Sequence, residues 1–123
     1  MKFNDLVKLI LEAERKKEPD GTWRRVYSSG DVVYTKTENG SDYHRTDGPA
    51  VEHADGSKLW FVNGELHRTD GPAVEHADGG NLWYVNDKQH RLDGPAVKYA
   101  NGSKRWWVNG KEYSEEDFND LTN

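Results

Sequence analysis

A block of 23 residues occurs three times in direct succession. Residues 44–66 read HRTDGPAVEHADGSKLWFVNGEL, residues 67–89 HRTDGPAVEHADGGNLWYVNDKQ and residues 90–112 HRLDGPAVKYANGSKRWWVNGKE, with no insertion between copies. A period of this length marks stacked architectures, because one short unit cannot bury its apolar face alone and needs its neighbours to do so. At 123 residues the chain is expected to be a single domain.

Each unit reads as strand, tight turn, strand, tight turn. Asp55-Gly56 and Asn63-Gly64 suit two-residue type I′ turns, in which both central residues take positive φ; the third copy repeats them as Asn101-Gly102 and Asn109-Gly110. In the second copy Gly79-Gly80 still suits a turn, whereas Asn86-Asp87 in place of Asn-Gly weakens the signal. With Asp55-Gly56 as the whole loop, Val51 would lie opposite Trp60 and Ala50 opposite Phe61. Alternation then predicts an inward face of Val51, Trp60 and Val62, repeated as Val74, Trp83, Val85 and as Val97, Trp106, Val108. The other face would hold Ala50, Leu59 and Phe61, then Ala73, Leu82 and Tyr84, then Ala96, Arg105 and Trp107. Its aromatic changes from copy to copy, so this face is expected to be exposed or turned to a partner.

Only 33% of residues are apolar, 32% are charged and the mean hydropathy is −1.07, values that alone would suggest disorder. Five Trp, six Tyr and twelve Gly redirect the expectation to sheet and turns, since a few large rings per unit support a thin core. The net charge is −5, with 17 basic and 22 acidic residues interspersed. That pattern lacks the basic stripe of a nucleic-acid binder and the strong acidic excess of a DNA mimic. The absence of Cys excludes a disulfide framework and thiolate metal sites and fits a cytoplasmic setting. Leu9-Ile10-Leu11 is too short to span a bilayer, and Lys2, Asp5, Lys8, Glu12 and Glu14 interrupt any signal-peptide core, so no membrane partner is expected.

The flanks differ from the middle. Phe3, Leu6, Val7 and Ile10 fall at helical spacing before Pro19-Asp20-Gly21, which predicts an amphipathic helix within residues 1–18. Residues 21–43 read as a degenerate first unit carrying Trp23, Val26, Tyr34 and Asn39-Gly40, and terminal units are expected to be atypical. Residues 113–123 form the expected C-terminal cap, where Ser114-Glu115-Glu116-Asp117 resembles a capping box before Phe118 and Leu121. The expected fold is therefore mainly β: an elongated open antiparallel sheet of tandem hairpins with a helix at each end.

The pattern W-x-V-N-G-x-x-H-R-x-D-G-P-A, read from Trp60 to Ala73 and, with Asn86-Asp87 in the turn, from Trp83 to Ala96, resembles the MORN-like repeats of bacterial, phage and large-virus proteins. The resemblance covers residues 44–112. It implies a twisted open sheet and use as an interaction scaffold or membrane-associating module rather than an enzyme. Antitoxin-like bacterial proteins contain related repeats. Fold likeness does not fix use.

The pairs His44-Arg45, His67-Arg68 and His90-Arg91 suggest a metal or catalytic ladder. However, equivalent positions in successive hairpins lie two strands apart, about 10 Å, too far for one metal ion. Arg45, Arg68 and Arg91 are instead expected to pair with Asp47, Asp70 and Asp93 or with turn carbonyls and, with Trp60, Trp83 and Trp106, to serve the stack. No Ser, Thr or Cys nucleophile stands in a constellation with a His and an acid, so no catalytic residue, cofactor or metal is assigned. The expected partner is another protein, with a homodimer through the open sheet ends as a further prospect. The residues expected to carry it are Leu59, Phe61, Leu82, Tyr84, Arg105 and Trp107, together with Phe3, Leu6 and Ile10 of the N-terminal helix. Uses compatible with this are a phage-encoded structural component or an inhibitor of a host protein, an antitoxin-like partner of a toxin and, last, an unrecognised small hydrolase.

Overall fold

The computed structural model describes residues 15–123. Its strands are β1 (Arg15–Lys17), β2 (Trp23–Val26), β3 (Val32–Thr35), β4 (Val51–Glu52), β5 (Lys58–Leu59), β6 (Phe61–Val62), β7 (Glu65–Leu66), β8 (Val74–Glu75), β9 (Asn81–Leu82), β10 (Tyr84–Val85), β11 (Lys88–Gln89), β12 (Val97–Lys98), β13 (Lys104–Val108) and β14 (Lys111–Tyr113). One helix, α1 (Glu115–Thr122), follows. Ten strands form one antiparallel sheet in the order β1-β2-β3-β4-β5-β8-β9-β12-β13-β14, and β6–β7 and β10–β11 are separate hairpins. The mainly β expectation and the short C-terminal helix are borne out.

Each unit is built on one long strand that serves two hairpins. Residues 58–59 pair with β4 of the same unit and β8 of the next, and residues 61–62 pair with β7. At the bend between them, the Trp60 N–H donates to Ala73 and its carbonyl accepts from His67. From β7 the chain makes the excursion His67–Ala73 before entering β8, so each H-R-x-D-G-P-A motif is a loop between two short strands.

The register departs from expectation by one residue. Val51 pairs with Leu59 and Glu52 with Lys58, not Val51 with Trp60. The reason is a three-residue loop: the His53 N–H donates to Ser57, the Gly56 N–H donates back to His53, and only Gly56 takes a positive φ, +97°. This is a type I turn closed by a glycine bulge rather than a type I′ turn. The type I′ expectation holds at the second turn of every unit, where Asn63-Gly64, Asn86-Asp87 and Asn109-Gly110 all have positive φ at both positions.

A one-residue slip moves a whole strand's side chains to the other face. Trp60 and Val62 still share a side, as do Leu59 and Phe61, but their partners exchange: Val51 joins Leu59, and Ala50 joins Trp60. The valine side carries Val33, Val51, Val74 and Val97, all at most 6% exposed. On the tryptophan side Ala50, Ala73 and Ala96 have no exposed surface, correcting their expected place on an open face.

The N-terminal helix expectation falls mostly on residues 1–14, outside the described residues, and with it Phe3, Leu6 and Ile10. Its last part is corrected, since Arg15–Lys17 form edge strand β1, paired Arg15 with Arg25 and Lys17 with Trp23. Pro19-Asp20-Gly21 is a hairpin turn rather than a helix stop. The Glu18 N–H donates to Thr22 and the Gly21 N–H to Glu18, the same bonding found at His53–Ser57. Sheet pairing outweighs the weak helical preference of three charged residues. At the other end Ser114 caps α1, its hydroxyl accepting from the Asp117 N–H at 3.1 Å, and Phe118 is buried.

Turn carboxylates hold this framework in their ionised form. The Thr22 hydroxyl and amide keep Asp20 below its ordinary pKa of 3.8, the Ala54 amide does so for Asp31, and the Ser57 amide for Asp55. A folded-state pKa below the unfolded value gives stability that is present above the unfolded value and lost as pH falls through the folded one. The thermal midpoint is therefore expected to fall as the pH drops below about 4, where these carboxylates take up protons. A midpoint unchanged down to about pH 2 would show that these bonds carry no stability.

Candidate functional site

The loop sequence H-R-x-D-G-P-A can be accounted for residue by residue. The His67 Nδ1 accepts the Asn86 N–H at 3.2 Å, as His44 accepts Asn63 at 2.9 Å and His90 accepts Asn109 at 3.0 Å. Each histidine thus ties the start of its own unit to that unit's second turn, with Nδ1 as the acceptor. The Arg68 guanidinium lies 3.9 Å from the centre of the Trp60 ring, Arg91 lies at the same distance over Trp83, and Arg45 over Tyr34.

From that position each arginine closes its own loop. Arg68 donates from Nε to Asp70 at 3.0 Å and from Nη1 to the Pro72 carbonyl at 3.0 Å. Arg45 and Arg91 repeat both bonds with Asp47 and Pro49 and with Asp93 and Pro95. The glycine between them leaves room, since a Cβ on Gly71 would come within 2.8 Å of the Arg68 Cζ. Glu52 and Glu75 add a second carboxylate to Arg45 and Arg68 at 3.6 and 3.2 Å. Lys98 stands in that place beside Arg91. The expected Arg–Asp pairs are thus present, and the Arg91 guanidinium holds the Asp93 carboxyl below its ordinary pKa.

Clasped in this way, the loops become fixed walls. Between the loops beginning at Arg45 and Arg68 lies an open groove of about 460 Å³ floored by Trp60 and Val62. Between those beginning at Arg68 and Arg91 lies its counterpart, about 660 Å³, floored by Trp83 and Val85. Thr69 of the first groove's wall is replaced in the second by Leu92, whose side chain is well exposed. A narrower recess of about 190 Å³ at Tyr34 is bounded by the Glu18–Thr22 turn.

Of the residues expected to bind a partner, those within the repeats lie on the valine side, and Phe3, Leu6 and Ile10 fall outside the described residues. Leu59, Leu82, Phe61, Tyr84 and Trp107 are half-buried, whereas Arg105 is exposed and forms a two-pronged pair with Glu112 at 2.8 and 2.9 Å. Tyr43 packs against Phe61 with ring centres 5.2 Å apart. These side chains do not enter the grooves, which the tryptophan side forms. Trp106 pairs with Tyr113 in the last hairpin. Ser114 occupies the position that arginine holds in the earlier units, so the clasp is not repeated there.

Sequence reasoning missed Val62 and Val85 as groove floor and Thr46, Thr69 and Leu92 as wall. The signal was present in the period-2 relation of Trp60 to Val62, once the motif is placed as a loop rather than a strand. Among the described residues no three metal-ligating side chains come together, and no helix is long and apolar enough to cross a membrane. No family model, curated protein or solved structure matches this chain.

The clasp sets a stability expectation. Removing the guanidinium in Arg68→Ala forfeits a cation–ring contact and three charge-assisted bonds, to Asp70, Pro72 and Glu75, and should cost about 3 kcal/mol. Arg68→Lys keeps the charge without the fork and should fall between the two. Gly71→Ala must displace the guanidinium and should also destabilise. Urea unfolding of the three variants checks this, and an Arg68→Ala chain within about 0.5 kcal/mol of the parent would refute a structural clasp.

Proposed function

We propose that this chain is a MORN-like, non-enzymatic repeat module that binds another protein, and that the two tryptophan-floored grooves are its contact surface. The observation that carries the reading is the engagement of the histidine, arginine and aspartate ladder in bonds that close each loop or tie it to the second turn of its own unit. Groups held in this way are spent on shape. The shape they make is a pair of concave, partly apolar recesses walled by loops, the type of surface on which recognition is commonly placed. In this reading the module serves as a phage-encoded structural component or an inhibitor of a host protein, with an antitoxin-like role as the alternative.

The test is quantitative affinity capture with the full chain, a Val62→Asp and Val85→Asp double variant, and Tyr84→Ala on the valine side. All three should first be shown folded by circular dichroism. A bound protein enriched by the parent chain should be lost from the double variant and retained by Tyr84→Ala. The opposite pattern would move the contact surface to the aromatic row of Phe61, Tyr84 and Trp107. A catalytic turnover that disappears in Asp70→Asn while the fold persists would replace the binding reading altogether.

A further inference from the structure

The two grooves are copies of one site set at a fixed pitch, and that pitch limits what can occupy both. Successive units are separated by two strands, as the order β5-β8-β9 shows. At the usual inter-strand spacing the grooves therefore repeat every 9.5 Å or so, about twice 4.8 Å, across the strands. A polyproline II helix has three residues per turn and rises about 3.1 Å per residue, so every third side chain recurs on one side at about 9.3 Å. A β-strand alternates sides, and its like-facing residues recur at about 6.7 Å, which fits one groove but not the next.

The chemistry of the grooves agrees with the spacing. Their floors pair an indole with a valine, Trp60 with Val62 and Trp83 with Val85. Each ring is already held under an arginine. A ring fixed before binding costs little ordering entropy, and aromatic-lined grooves are the usual seats of proline-rich segments. The walls supply donors as well. The amide N–H groups of Thr46, Asp47 and Gly48, and of their counterparts at 69–71 and 92–94, donate to no backbone carbonyl among the described residues. A polyproline II segment has free carbonyls to meet them, whereas an α-helix has bonded its own.

We propose that the grooves bind a polyproline II segment of a partner protein, with an apolar residue at position i over Trp60 and Val62 and another at i+3 over Trp83 and Val85. This rests on the protein-binding reading and specifies its ligand. The two seats are not equivalent. Leu92 makes the second wall more apolar than Thr69 makes the first, so the second seat takes the larger apolar side chain. Sheet twist of about 20–25° per strand rotates successive units, which restricts the match to a short segment.

The experiment is fluorescence anisotropy of the full chain with a labelled peptide of repeated Leu-Pro-Pro triplets. The comparison peptides are repeated Leu-Pro doublets, Leu-Gly-Gly triplets and an alanine-rich helix with Leu at every seventh position. The Leu-Pro-Pro peptide is expected to bind at least about tenfold more tightly than each of the others. Leu92→Thr, a substitution at an exposed side chain, is expected to weaken it several-fold without moving the thermal midpoint. Equal binding of doublets or of Leu-Gly-Gly triplets, or tighter binding of the helix, overturns the proposal. So does no binding of Leu-Pro-Pro at all. In that case, capture that still depends on Val62 and Val85 would leave the protein-binding reading standing, whereas capture insensitive to them would remove both.

Discussion

An arginine held over an aromatic ring is the contact on which the rest of this structure depends. The ring alone would be a large apolar surface on a thin sheet, and the loop alone would be a seven-residue excursion with unpaired backbone. Placing the guanidinium between them settles both problems: it covers one face of the ring at 3.9 Å and ties Asp70 and the Pro72 carbonyl into a fixed turn. Ala73 is then fully enclosed and Gly71 has no room for a side chain. In a chain with only 33% apolar residues, charged side chains thus carry part of the packing that aliphatic residues carry elsewhere.

Much of this was legible in the sequence, and what was not has a local cause. The period, the hairpins, the Asn-Gly turns, the Arg–Asp pairs and the Ser114 cap are all encoded within a few residues, and the structure contains them. Register was not legible, because Asp-Gly fits a two-residue type I′ loop and also the last two positions of a three-residue loop closed by a glycine bulge. The choice between them depends on which neighbouring strand Val51 meets, a contact made across the sheet with Leu59 and Val33. The face of every residue followed from that choice, and so did the grooves. Arg15–Lys17 illustrates the same limit: nothing in three charged residues announces a strand, and only the partner β2 makes it one.

The degenerate first unit shows which features the architecture requires and which it tolerates. Tyr34 replaces tryptophan but keeps its bonds, donating to Ala50 and accepting from His44, and it takes Arg45 over its ring. Its histidine lies ten residues on, where Trp60 is followed by His67 after seven, and the extra length is absorbed in the turn around Thr37 and Asn39. An insertion is accepted at the tip of a turn while the ring, the histidine and the arginine keep their relations. At the opposite end the pattern stops by substitution. Ser114 stands at the arginine position, and its hydroxyl starts a helix whose Phe118 is buried against the last strands, with α1 packed on β13 and β14.

A stack whose units are joined by identical bonds also has a nearly constant pitch, and this ties architecture to recognition. The Trp60 N–H donating to Ala73 and that of Trp83 to Ala96, with the Gly64 N–H donating to Tyr43, that of Asp87 to Leu66 and that of Gly110 to Gln89, each cross from one unit to its neighbour and set the distance between them. A surface made this way selects by spacing before it selects by side chain, because a ligand with the wrong repeat meets one groove and misses the next. Variation at a few wall positions, such as Thr69 and Leu92, then adjusts each seat without disturbing the clasp beneath it. The near-identity of the repeats and the differences among their exposed residues are two parts of one arrangement, the first fixing where a partner is met and the second deciding which side chain is accepted there.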